Sequence, residues 1–146
     1  MITETDDDAP PSGFEPLRDR PDAELFAGPF YERELPDGTR QLGFRVTERK
    51  LNNMGMCHGG VLALFADIQA GVIKRAMKIS ADAPTINLSI DFVAPARLGA
   101  WVWSRPEVVR QTGGLLFLQS MVHADDQICL RLSGIYRLRP RGDGND

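Results

Sequence analysis

Six residues of this 146-residue chain could polarise a carbonyl or move a proton in concert: Asn52, His58, Gly59, Gly60, Asp67 and Thr85. His58-Gly59-Gly60 runs straight into the apolar segment Val61 to Met77. The first N–H groups of such a helix have no intrahelical partner and lie at the positive end of its dipole, so the backbone around the two glycines is a ready donor to an oxyanion. In acyl transfer one such donor is worth about 3–4 kcal/mol. The bland alternative is a tight turn into a helix. Asp67 interrupts an apolar helix, and a carboxylate is almost never buried without a partner or a task. It is either a general base or nucleophile against a polarised carbonyl, or a carboxylate neutralised by its own interface or a lysine. Asn52 lies in the loop before His58, as a turn residue or as an amide that holds a carbonyl or a water. Thr85 opens the next strand, where its hydroxyl serves strand formation or orients water.

Helix geometry constrains how these groups combine. Asp67 is nine residues beyond His58. At about 100° and about 1.5 Å per residue it points to the opposite side, about 13.5 Å further along the axis. One subunit does not bring both to one reacting atom. If both act, the helix start of one subunit meets the Asp67 of another, which predicts a two-fold dimer with two sites in its isologous interface. Gly71, one turn beyond Asp67, would let two such helices approach closely, although a mid-helix glycine is more often incidental. Cys57 is not read as a nucleophile, because adjacent residues rarely bring sulfur and imidazole into reach and nothing orients the pair. His123 and Asp125-Asp126 lack ligand spacing, so no metal site is expected.

The surrounding elements follow from periodicity. Val61, Leu64, Phe65, Ile68 and Val72 recur at helical spacing with Ala63, Ala66 and Ala70 on the other faces, so this helix must be wrapped on most sides. Lys74, Arg75 and Lys78 suit its C-terminal end. Before it, Phe30 to Leu35 and Arg40 to Thr47 flank Pro36-Asp37-Gly38-Thr39 as a hairpin. After it, Ile86, Leu88, Ile90 and Phe92 alternate with Thr85, Asn87, Ser89 and Asp91, and three further strands follow at Ala100 to Gln111, Leu115 to Ala124 and Gln127 to Arg139. Asp22 to Phe26 reads as a short helical turn. Two strands, one long helix and four meandering strands make an α+β domain in which an antiparallel sheet of five to six strands curls round one central helix. The domain spans 14–139, between an acidic tail at 1–13, read as disordered, and a frayed end at 140–146.

Composition excludes several classes. A net charge of -3 argues against nucleic-acid binding, which needs a concentrated basic field. Two cysteines make no disulfide framework and point to a reducing, cytoplasmic setting. No apolar run approaches the roughly 20 residues of a membrane helix, and the acidic N-terminus is unlike a signal peptide.

These residues resemble the hotdog-fold acyl-CoA thioesterases of the phenylacetate-pathway type. That pattern is Asn-x-x-Gly-x-x-His-Gly-Gly followed by an apolar helix bearing Asp, matched by Asn52, Gly55, His58, Gly59, Gly60 and Asp67. Phe92-Val93-Ala94-Pro95-Ala96-Arg97-Leu98-Gly99 extends the likeness, which covers roughly Phe30 to Leu138. The resemblance implies a dimer, often a dimer of dimers, and hydrolysis of an acyl-CoA without a cofactor other than the coenzyme A of the substrate. It implies that the Gly59 N–H polarises the thioester carbonyl, that Asp67 of the partner subunit is base or nucleophile, that Asn52 and His58 orient carbonyl or water, and that Thr85 positions water. Gly60 would help bind substrate; Arg97, Arg137 and Arg139 are candidates for the coenzyme A phosphates. A non-catalytic acyl-CoA-binding protein and a hydratase or dehydratase on acyl thioesters are the alternatives.

Overall fold

The computed structural model describes residues 6–141. The strands are β1 (Glu15–Pro16), β2 (Tyr31–Glu34), β3 (Arg40–Arg45), β4 (Ala81–Asp82), β5 (Thr85–Phe92), β6 (Trp101–Ser104), β7 (Glu107–Gln111), β8 (Leu115–Ala124), β9 (Gln127–Arg137) and β10 (Arg139–Pro140); the helices are α1 (Asp22–Ala27) and α2 (Gly59–Ala76). The main sheet is antiparallel in the order β1-β2-β3-β6-β8-β9-β5, with β7 also paired to β8.

Helix α2 begins at Gly59, two residues before the apolar run, because His58 caps it: the imidazole accepts the Gly60 N–H. It buries Leu62, Phe65, Ala66, Ile68, Ala70, Val72 and Ile73, and each large apolar side chain so buried contributes about 1.5–3 kcal/mol. Phe65 anchors it to the sheet, 5.1 Å from the Phe44 ring and 5.8 Å from Phe30. The alternating residues Leu116, Leu118, Val122, Leu130, Leu132 and Tyr136 supply the other wall.

Gln69 also lies fully buried on this helix, and among the described residues neither amide atom has a hydrogen-bond partner; the same holds for the Ser104 hydroxyl. A buried polar group left unpaired costs about 1–3 kcal/mol, so Gln69→Met, apolar and of similar length, is expected to raise the stability by about that amount in chemical denaturation. A lowered midpoint would mean that the amide has a partner.

Four expectations are corrected. The run 100–111 divides at Arg105-Pro106, because proline has no N–H to give the ladder; β6 and β7 are the two halves of one strand on β8. The last four strands are not a simple meander. Strand β5 lies beside β9 rather than β6, and the segment carrying Pro95 crosses over, fixing the motif loop through Cys57 N–H to Ala96 O at 2.8 Å. In the expected disordered tail, Asp6–Asp8 forms a 3-10 turn and the Asp8 carboxylate is buried 2.7 Å from Lys50 Nζ, an attachment that holds the segment to the body; residues 1–5 lie outside the described residues. At the far end β10 pairs with β4, so the expected frayed end starts as a strand, while 142–146 lie outside the described residues.

Candidate active site

The loop before α2 is held by one side chain. Asn52 Oδ1 accepts the N–H groups of Met54 at 2.9 Å and Met56 at 3.1 Å, and the Asn52 backbone closes the turn on Met56 O at 2.7 Å. Gly55 takes the turn's positive φ of 75°, which glycine adopts without steric strain. The Asn52 oxygen is therefore spent on its own loop, leaving only its NH2 group for a bound carbonyl.

His58 divides the two glycines into different roles. Its Nδ1 accepts the Gly60 N–H at 2.9 Å, so in the neutral imidazole the proton sits on Nε2. Gly60 is thus not a second open donor, contrary to expectation: the cap has taken its N–H. The Gly59 N–H has no hydrogen-bond partner among the described residues. A Cβ on Gly59 would meet only the Phe92 ring, at 3.5 Å. One open N–H at the positive end of a helix dipole, beside an exposed aromatic, can polarise a carbonyl.

Asp67 is half-buried. Thr85 Oγ1 donates to its Oδ1 at 2.6 Å, and no cation of the same chain pairs with it among the described residues. Thr85 reaches it through an irregularity that strict alternation hides. The pairing Thr85↔Tyr136 shifts to Asn87↔Ile135, so a bulge at Ile86 turns Thr85 onto the inward face that Tyr136 shares, away from the polar outer face assigned to it by alternation. Tyr136 was not anticipated. Its hydroxyl donates to the Asp67 carbonyl at 3.4 Å, and burial, reinforced by the nearby Asp67 charge, pushes its pKa up, so it stays a neutral donor. Its place on the inward face of β9 was the available signal.

The two groups of residues lie at opposite ends of β5: Asp67 with Thr85 at its start, Gly59 with Phe92 at its end. The basic candidates divide likewise. Arg97 faces Met56 in a backbone β-bridge at the Gly59 end; the Arg137 backbone N–H donates to Pro84 O at 3.0 Å and the Arg139 backbone lies opposite Asp82 in the β10–β4 ladder, both at the Asp67 end. A 580 Å³ groove on the outer face of the sheet, walled by Trp103, His123 and Arg131, contains none of the candidate residues. Among the described residues no cluster of His, Cys, Asp and Glu could hold a metal, and no helix is long and apolar enough to cross a membrane.

Burial pushes the Cys57 thiol up from its ordinary 9.0 to about 12 and the Cys129 thiol to about 11. Neither is a thiolate near neutrality, which agrees with setting Cys57 aside. Because these pKa values are raised in the folded state, the unfolded chain ionises first: their stabilisation is full below pH 9 and is lost as pH rises towards 11–12. Stability is expected to fall above pH 9, and Cys57→Ala/Cys129→Ala should flatten that fall in denaturation curves taken between pH 8 and 11. An unchanged slope would contradict it.

One long helix packed against a large antiparallel sheet is the hotdog architecture. Residues 54–130 match the model of the Thioesterase superfamily, and the chain belongs to that family. A Pseudomonas aeruginosa protein named as a candidate esterase is 33% identical over 135 residues, covering 88% of this chain and 96% of its own. A hypothetical thioesterase of Streptococcus pneumoniae crystallised with coenzyme A is similar with a TM-score of 0.69 at 17% identity, over 78% of this chain and 88% of that one. A point variant of the phenylacetic acid degradation protein PaaI of Thermus thermophilus gives 0.69 at 19% identity, over 80% and 97%. A Bacillus halodurans protein crystallised with coenzyme A gives 0.68 at 20%, over 76% and 74%. At such identities these structures speak for the fold.

Proposed function

We propose that this protein hydrolyses an acyl-CoA thioester to a free acid and coenzyme A, in sites that two copies of the chain build together. The observation that carries the reading is the carboxylate of Asp67, unpaired by any described cation and oriented by Thr85, on the same helix whose first N–H is open. The coenzyme A bound in two of the similar structures supports the substrate class.

In this mechanism the Gly59 N–H binds the thioester oxygen and stabilises the oxyanion as the carbonyl is attacked. Asp67 takes the proton of an attacking water, or attacks the carbonyl itself and is released by water. The C–S bond breaks, the thiolate of coenzyme A collects a proton, and the acid leaves. Thr85 fixes which way the carboxylate faces; His58 Nε2 and the Asn52 NH2 group remain as donors beside the carbonyl.

Strand β5 supplies the way to join the half-sites. Its outer edge has no pairing strand among the described residues, and Ile86 and Phe92 on it are 56% and 57% exposed. An unpaired edge with half-exposed apolar residues is a template for another strand. If β5 pairs antiparallel with its copy so that Leu88 faces Ser89, Thr85 faces the copy's Phe92. The Asp67 end of each subunit then meets the Gly59 end of the other, and Arg97 meets Arg137 and Arg139 of the copy as cations for the phosphates. Thiol release from phenylacetyl-, benzoyl-, short- and long-chain acyl-CoAs tests the activity: release with at least one of them is expected. Binding without release would instead identify a non-catalytic acyl-CoA-binding protein, and water added to an enoyl thioester a hydratase.

A further inference from the structure

We infer that Asp8 and Lys50 are positioning residues for the Gly59 N–H, acting through His58; the inference rests on the hydrolytic reading of that site. Asp8 is 1% exposed and Lys50 2%. Asp8 Oδ1 lies 2.7 Å from Lys50 Nζ and its Oδ2 3.7 Å from the Arg49 guanidinium. The Lys50 ammonium also donates to Thr47 Oγ1 at 3.2 Å and lies 5.9 Å over the Phe44 ring. The carbonyl of the same lysine accepts the His58 N–H at 2.8 Å. His58, so held, takes the Gly60 N–H and leaves that of Gly59 open. One residue therefore joins a buried ion pair to the cap that decides which glycine N–H a substrate meets.

The neighbouring contacts tighten the same connection. Arg45 donates to Ala9 O at 3.1 and 3.3 Å and to Gly99 O at 3.2 Å, while Arg49 donates to Phe26 O at 3.1 Å and to Gly28 O. Arg45, Arg49 and Lys50 thus clamp Asp8-Ala9 against the stem of the motif loop, and Arg49 ties the same stem to the end of α1. Stability alone is a poor reason for such a pair. Desolvation offsets much of the attraction between buried charges, and well-packed apolar residues of similar volume are often as stable. What a buried pair fixes is geometry, and a misplacement of about 1 Å near a reacting centre can lower a rate about 100-fold.

Two full-length variants separate positioning from simple stabilisation: Asp8→Asn, and the apolar pair Asp8→Leu/Lys50→Met. Asp8→Asn is expected to lower kcat about 10- to 100-fold on the acyl-CoA turned over fastest by the wild type, with KM changed by no more than about twofold. Amide exchange at His58 and Gly60 should rise in the same variant, well below its melting temperature. The apolar pair is expected to recover the melting temperature but not kcat. A kcat that returns with the melting temperature, or an Asp8→Asn variant with unchanged kcat and exchange, would overturn the inference. A wild type that releases no thiol refutes the hydrolytic reading instead, and the exchange of His58 and Gly60 then decides whether the clamp holds the cap.

Discussion

Asp67→Asn is expected to lower kcat for the proposed thioester hydrolysis by about 10²–10⁴-fold, the usual contribution of a positioned base, with the fold and the proposed dimer kept. The split is expected from the surroundings of the side chain. Asn keeps the shape of Asp and still accepts the Thr85 hydroxyl, now 2.6 Å from Asp67 Oδ1. No ion pair is broken, since no described cation pairs with Asp67, and the position is only half-buried. Only the ability to take a proton or attack a carbonyl disappears. Turnover within a few-fold of wild type would show that the carboxylate is structural.

Gly59→Pro removes the N–H proposed to polarise the carbonyl, and kcat is expected to fall about 10²–10³-fold, as for the loss of one oxyanion donor. Proline is well suited to this test. It is favoured at the first position of a helix, where its missing N–H has no helical partner in any case, and it pushes the preceding residue to extended backbone. His58 is already there, at φ -61° and ψ 133°. Gly59→Ala is the control: it keeps the N–H and places a Cβ at an ordinary 3.5 Å from the Phe92 ring. Alanine and proline variants of equal activity would show that the N–H has no part in turnover.

The helix and the candidate residues on it were legible because both rest on local pattern. A period of 3.6 with a single carboxylate in it gives Asp67 and its phase against His58, and alternation gives Leu88 and Ile90 of β5, which pack against the core. Other features depend on partners remote in sequence or on the detail of one torsion. Asp8 sits in an acidic, proline-containing stretch, and the lysine that buries it is 42 residues away. The bulge at Ile86 depends on how β5 registers with β9, and without it Thr85 would face outward. The loss of the Gly60 N–H to His58 depends on where one imidazole turns. The break at Pro106 was readable in principle, since a proline within a strand has no N–H for the ladder.

The claim on which the rest depends is that each chain carries two half-sites, one at either end of β5. It is tested most directly by co-expressing Asp67→Asn and Gly59→Pro chains under separate tags and isolating the mixed dimer. Each homodimer is expected to be nearly inactive. In the mixed dimer one site joins an intact Gly59 to an intact Asp67, so about half of the wild-type activity per dimer is expected from a two-fold interface with two sites. A mixed dimer as inactive as its parents would place Gly59 and Asp67 in the same subunit's site and contradict the account.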